Sequence, residues 1–233
     1  MLQPQNYPRF VGQALCLEPD PFVAIVDDDN PWIEGLFLCA CVSILVAVAR
    51  VAGGLLLTAS LPSSDALLNV ALWLLRHSSA NGETIYEIEL SLRGVWPLLR
   101  FSSGYDSGWL RFLTLATTPL SIIGQWLLFG LFGHLLARAF GGRGTLGQTL
   151  GAMSLSIAPR LLYLLTALPF VSVATLLVHV WGVLIAYRGM EVAHELSPGP
   201  AALAAVGAWV LLLAVGIAGA AVAALLLVAG GGL

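Results

Sequence analysis

Gly142-Arg143-Gly144-Thr145-Leu146-Gly147 has the spacing G-x-G-x-x-G. In a dinucleotide-binding unit that spacing follows a strand and opens a helix, and an acid about 20 residues on holds the ribose. Here the glycines follow a long apolar run, and the next acid after Gly147 is Glu191. The chain has ten Arg and no Lys, so the lysine of a P-loop is missing too. The stretch reads instead as a turn between two helices. Gly141 and Gly142 stand where a helix ends and positive φ is often needed. Thr145 and Gln148 stand three apart, as the two halves of a capping box do. Arg138 and Arg143 flank the turn and are placed to reach lipid phosphates.

Other residues of chemical interest lie in apolar surroundings. Glu191, His194 and Glu195 are spaced i, i+3, i+4, so a helix would put them on one face. The first reading of His194 is a solvated loop position, and no metal site is expected. His134 and His179 could ligate a haem or chlorin, but membrane histidines more often bond across helices. Arg50 and Arg160 sit inside apolar runs, where an ionisable residue marks a functional hypothesis. Arg160 follows Pro159, which frees a backbone carbonyl one turn earlier. It reads first as a structural or lipid contact and second as a substrate contact. Ser154 and Ser156 have no acid and base to complete a triad. No catalytic residue, metal or cofactor is expected.

Composition sets the frame for these residues. The 233 residues are 58% hydrophobic and 10% charged, with mean hydropathy +0.90, where soluble domains carry about 25% charge. This is the composition of a membrane protein. A net charge of -3 gives no footprint for nucleic acid. Cys16, Cys39 and Cys41 form no disulfide or zinc pattern. The first ten residues lack the basic region and apolar core of a cleavable signal.

Five spans are expected, at about 33–57, 119–139, 149–168, 170–187 and 201–229, each near the 20 residues that cross a bilayer. The fifth carries small residues four apart, Ala204/Ala208 and Gly216/Ala220, which lets helices approach closely. The domain reading is a polar tail over 1–30, extended or disordered; a first span within 31–60; an interfacial or extramembrane segment over 61–115; and a four-span portion over 116–230. Asn30 and Pro31 open the first span as N-cap and first helical residue. Within 61–115, residues 66–77 suit a short interfacial helix. Residues 85–93 alternate with a strand-like period of two. Trp96, Tyr105 and Trp109 suit a membrane–water boundary. The Arg distribution over the short loops favours a cytoplasmic N-terminus.

The run "LLARAFGGRGTLGQTLGAMSLSIAPRLL", followed by "VWGVLIAYRGMEVAHELS", resembles the Yip1 domain in its bacterial form. The resemblance rests on Gly141-Gly142, Thr149-Leu150, Pro159, Trp181, Gly189, His194, Leu196 and Ser197 in that order, and covers about 116–230. It implies a five-span membrane protein with a cytosolic N-terminus. Eukaryotic members act in vesicle traffic with Rab GTPases; that role is not carried to a chain whose composition looks bacterial. The family brings no catalytic residues.

The expected fold class is therefore an all-α integral membrane protein with five transmembrane helices. It is read as a non-enzymatic scaffold, adaptor or accessory subunit in the bacterial cytoplasmic membrane. Its partners would be membrane lipids and other membrane subunits, with no nucleic acid and with homo-oligomerisation open. The alternatives are a small permease or channel using Arg160 and the Pro159-broken helix, and a haem- or chlorin-holding subunit.

Overall fold

The computed structural model describes residues 4–78, 81–103 and 108–230. Among them the chain is helical and has no strand. Its α-helices are α1 (Tyr7–Leu15), α2 (Asp20–Val26), α3 (Pro31–Ser60), α4 (Ser64–Arg76), α5 (Gly82–Ser103), α6 (Thr114–Ala139), α7 (Leu146–Ser154), α8 (Thr175–His194) and α9 (Pro198–Gly230). A 3-10 segment, Leu155–Ala167, continues α7. Five stretches are long and apolar enough to cross a membrane: Pro31–Ser60, Arg111–Ala139, Leu146–Ala167, Thr175–His194 and Pro198–Leu225. Lipid offers backbone groups no hydrogen bonds, so a spanning segment closes its own, as helices do.

The third stretch is where this closure is least regular. Pro159 lies inside it and contributes no N–H, and the helix tightens to 3-10 from Leu155 onward. A 3-10 run of this length is unusual and marks strain or a hinge. Hydroxyls bond carbonyls three residues back along it: Ser154 to Gly151 O (2.7 Å), Ser156 to Met153 O (2.6 Å) and Thr166 to Tyr163 O (2.6 Å).

The chain divides into two compact units. The larger takes in the chain up to Val46, residues 118–162 and residues from 174 onward. In it, α1 and α2 replace the extended tail expected for 1–30. The reason is amphipathicity, which the polar composition conceals. Tyr7, Val11 and Ala14 fall on one face of α1 and are buried, as are Phe22 and Ile25 of α2. α2 packs on α7 and α8. Burying Phe22 and Ile25 stabilises the pair by up to about 3–6 kcal/mol together. Two polar bonds add direction. The Tyr7 hydroxyl donates to the Glu34 carboxylate at the head of α3, and Trp181 Nε1 donates to Leu15 O (3.1 Å).

The smaller unit takes in 47–117 and 163–173. There α4 and α5 form a hairpin. Ser63 caps α4 by accepting from Ala66 N (3.3 Å). Glu89 accepts from Arg76 (2.6 Å) and Arg93 (3.0 Å), and Arg100 reaches Asp65 at 3.4 Å. The Arg76 guanidinium, then that of Arg93, holds the Glu89 carboxyl below its ordinary range; a pair this exposed contributes little to stability. The strand-like reading of 85–93 is corrected, because these residues lie in α5. The nine-residue window hid the longer pattern: Ile85, Ile88, Leu92, Val95 and Leu99 recur at helical spacing, and Glu89–Arg93 is an i,i+4 pair. Tyr105 lies outside the described residues. Arg50 lies over the Tyr163 ring, 5.1 Å from its centroid.

The Tyr7–Glu34 bond yields a test. Burial, and then the bond to Glu34, pushes the Tyr7 hydroxyl well above its ordinary value near 10. The folded state favours the protonated phenol, so this stability is complete below pH 10 and is lost as pH climbs beyond it. Tyr7→Phe should cost about 1–3 kcal/mol and should flatten the alkaline limb of melting temperature against pH. Thermal melts in detergent at neutral and alkaline pH check both.

Candidate functional site

The Gly141–Thr145 turn joins α6 to α7. Gly141 has φ +89°, the left-handed conformation that ends a helix. Gly142 has no positive φ; its role is close approach, since a Cβ there would lie 2.7 Å from His194 Nδ1. Gly144 is tighter, with a Cβ position 2.1 Å from Ala193 O. Thr145 and Gln148 form the expected capping box. The turn is thus clamped onto the last residues of α8, and Arg143 N donates to His194 O at 3.2 Å. Its amides and glycines are used in packing one helix end on another.

Under the turn sits a three-residue polar cluster. His194 is 1% exposed, which corrects its reading as a solvated loop residue. α8 runs on to His194 and turns the imidazole inward; the helix ends only at Glu195, which adopts φ 52°. This longer α8 also carries Glu191, so the fourth spanning stretch runs past the expected end near 187 and includes an acid. Thr149 Oγ1 lies 2.9 Å from Thr145 O, 3.0 Å from His134 Nδ1 and 2.8 Å from His194 Nε2. A hydroxyl has one hydrogen and two lone pairs. It donates to the Thr145 carbonyl and accepts from both histidines. That fixes His134 as the Nδ1–H tautomer and His194 as the Nε2–H tautomer. His194 Nδ1 is then an acceptor, buried and without a partner.

Of Glu191, His194 and Glu195, which helical spacing could place on one face, the first two turn to different partners. Glu191 pairs with Arg188, and His194 turns to Thr149. Among the described residues no group of three or more His, Cys, Asp or Glu is arranged to hold a metal. The two histidines read as a haem pair also separate: His134 joins Thr149 and His194, whereas His179 Nδ1 bonds Thr175 O (2.8 Å).

The other sequence-selected residues fall as follows. Arg138 is exposed and donates to Gly142 O at 3.2 Å; Arg143 is exposed beside it. Gly189 packs on Ala152 O and Phe22, at 3.3 and 3.4 Å from its Cβ position. Trp181 bonds α1. Ser197 O accepts from Ala201 N (3.1 Å) in the first turn of α9. Pro159 is buried in the 3-10 segment, and Arg160 beside it donates to Gln125 Oε1 at 2.7 Å.

Arg160 and Gln125 line a cleft of about 40 Å³ together with Ser156, His179 and Trp209. α6, the 3-10 segment, α8 and α9 each contribute a wall, and no carboxylate lines it. Sequence reasoning found Arg160 but missed Gln125 and Trp209. The one available signal was an amide standing alone in the apolar stretch of α6.

The Yip1 domain family model matches residues 14–220. No curated protein matches the chain, and no solved structure does.

The Thr149 hub generates the second prediction. Thr149→Val keeps the shape and strands two histidine N–H groups, so it should cost about 2–6 kcal/mol at about 1–3 per orphan. Thr149→Ser should recover most of that loss. Melting temperatures of the purified variants in one detergent decide the matter.

Proposed function

Because this chain belongs to the Yip1 domain family, we propose that it works by contact, as a scaffold, adaptor or accessory subunit of a membrane assembly. One observation carries this reading: α1 and α2 are fastened to the helical bundle, and exposed acids stand at the start of α2 and in the links on either side of it. Glu18, Asp20, Asp27 and Asp29 are all exposed. Docking fixes these charges in place, as recognition of a partner with a basic surface would require. The family-motif positions serve the same end. Gly142 and Gly189 let backbones approach, Trp181 holds α1, and His194 closes the turn. They pack helix on helix and hold α1 on the bundle.

The membrane is read as a bacterial cytoplasmic one, with the N-terminus, Arg138 and Arg143 on the cytoplasmic side, where the two Arg would meet lipid phosphates. Segment 61–115 is read as interfacial or extramembrane; Val70, Trp73 and Leu74 of α4 are exposed, as lipid contact would require. A small permease is the second reading, favoured by the 3-10 break beside the Arg160 cleft, since transporters place broken helices at binding sites. If Arg160→Ala leaves flux of every tested solute unchanged in proteoliposomes, the permease reading fails.

Purification from native membranes in a mild detergent, with quantitative mass spectrometry, tests the contact reading. A membrane protein should accompany the wild-type chain at fixed stoichiometry. Its recovery should fall about tenfold when Glu18→Gln, Asp27→Asn and Asp29→Asn are combined, a loss of about 1.4 kcal/mol in affinity. A chain that elutes alone from every extraction contradicts it.

A further inference from the structure

We propose that the Arg160 cleft binds the anionic head of a single membrane amphiphile, a carboxylate or a phosphate carried on an acyl chain. The cleft lies among four spanning stretches, where unpaired polar groups are costly. Yet the indole Nε1 of Trp209, which lines it, is buried and has no hydrogen-bond partner. Beside it stand the Arg160 guanidinium, always charged, and the Gln125 amide, whose oxygen already accepts from Arg160. The lining is therefore rich in donors and holds no carboxylate. An anionic oxygen group supplies the missing acceptor for Trp209 and matches the charge and donors of the lining.

Size and surroundings narrow the class. About 40 Å³ exceeds the room one water needs, about 10–15 Å³. It suits a carboxylate or a bare phosphate. Phe129, Ile157, Val183 and Leu212 supply apolar walls, as an acyl chain leaving the cleft requires. Selectivity comes from charge and from two donor types in the lining, so a neutral ester of the same chain should bind poorly. The inference rests on neither functional reading above; a bound amphiphile could stabilise a scaffold or be a permease's cargo.

The experiment uses the full chain in detergent, stripped of lipid, and photolabelling by a diazirine-bearing palmitic acid. Competitors are palmitate, palmitate methyl ester, phosphatidic acid and phosphatidylcholine, and labelled peptides are mapped by mass spectrometry. Saturable labelling should map to the 3-10 segment, α8 or α9. Palmitate or phosphatidic acid should displace it, and whichever does names the source of the anion. The methyl ester and phosphatidylcholine should compete at least tenfold less well. Trp209→Phe keeps the ring and removes only the N–H, and should weaken binding about fivefold, the worth of one hydrogen bond. Arg160→Gln should weaken it more. Equal competition by acid and methyl ester, labelling that maps elsewhere, or full affinity in a folded Trp209→Phe chain would overturn the proposal.

Discussion

Inside a bilayer no water is present to take an orphaned hydrogen bond, and that constraint organises this molecule. Where the sequence permits, an α-helix closes every backbone bond by itself. Where Pro159 forbids it, the chain tightens to 3-10, and hydroxyls at 154, 156 and 166 turn back on carbonyls three residues earlier. Where the chain reverses between α6 and α7, a capping box and Thr149 meet the loose donors and acceptors.

The same constraint explains the glycines of the turn. A helix end can be clamped on another only if backbones touch, and at Gly144 even a methyl group would sit 2.1 Å from a carbonyl oxygen. The clamp draws His194 under the turn, the buried imidazoles need a shared acceptor, and Thr149 provides one. A fingerprint that looks made for phosphate is thereby explained by packing. Among the described residues three buried side-chain atoms escape the rule: Trp96 Nε1 in α5, and His194 Nδ1 and Trp209 Nε1 in the spanning stretches. His194 Nδ1 is enclosed by the glycine turn, whereas Trp209 lines a cleft that Arg160 also lines.

Features with strong local signals were legible in the sequence. Long apolar runs gave the five spans, Thr145-x-x-Gln148 gave the cap, and Gly141 gave the positive φ. Features that depend on a distant partner were not. Nothing local in residues 1–30 says that Phe22 and Ile25 will meet α7 and α8, so polar composition suggested an unfolded tail. His194 between two glutamates looks solvated until Thr149, 45 residues away, is seen to receive it. α5 was misread for another cause: over nine residues a period of two and a period of 3.6 share several positions. Trp209 reads as one more aromatic residue in an apolar helix, and only its place in the cleft separates it.

Everything proposed for contact depends on α1 and α2 being held on the bundle, which the Tyr7, Trp181 and Phe22 contacts require. Hydrogen–deuterium exchange on the full chain in lipid nanodiscs measures that directly. Amides of 11–15 and 23–26 should exchange slowly, on the timescale of α7. Complete exchange of both helices within seconds, with α7 still protected, would mean the pair is not docked and that the acids beside it have no fixed position.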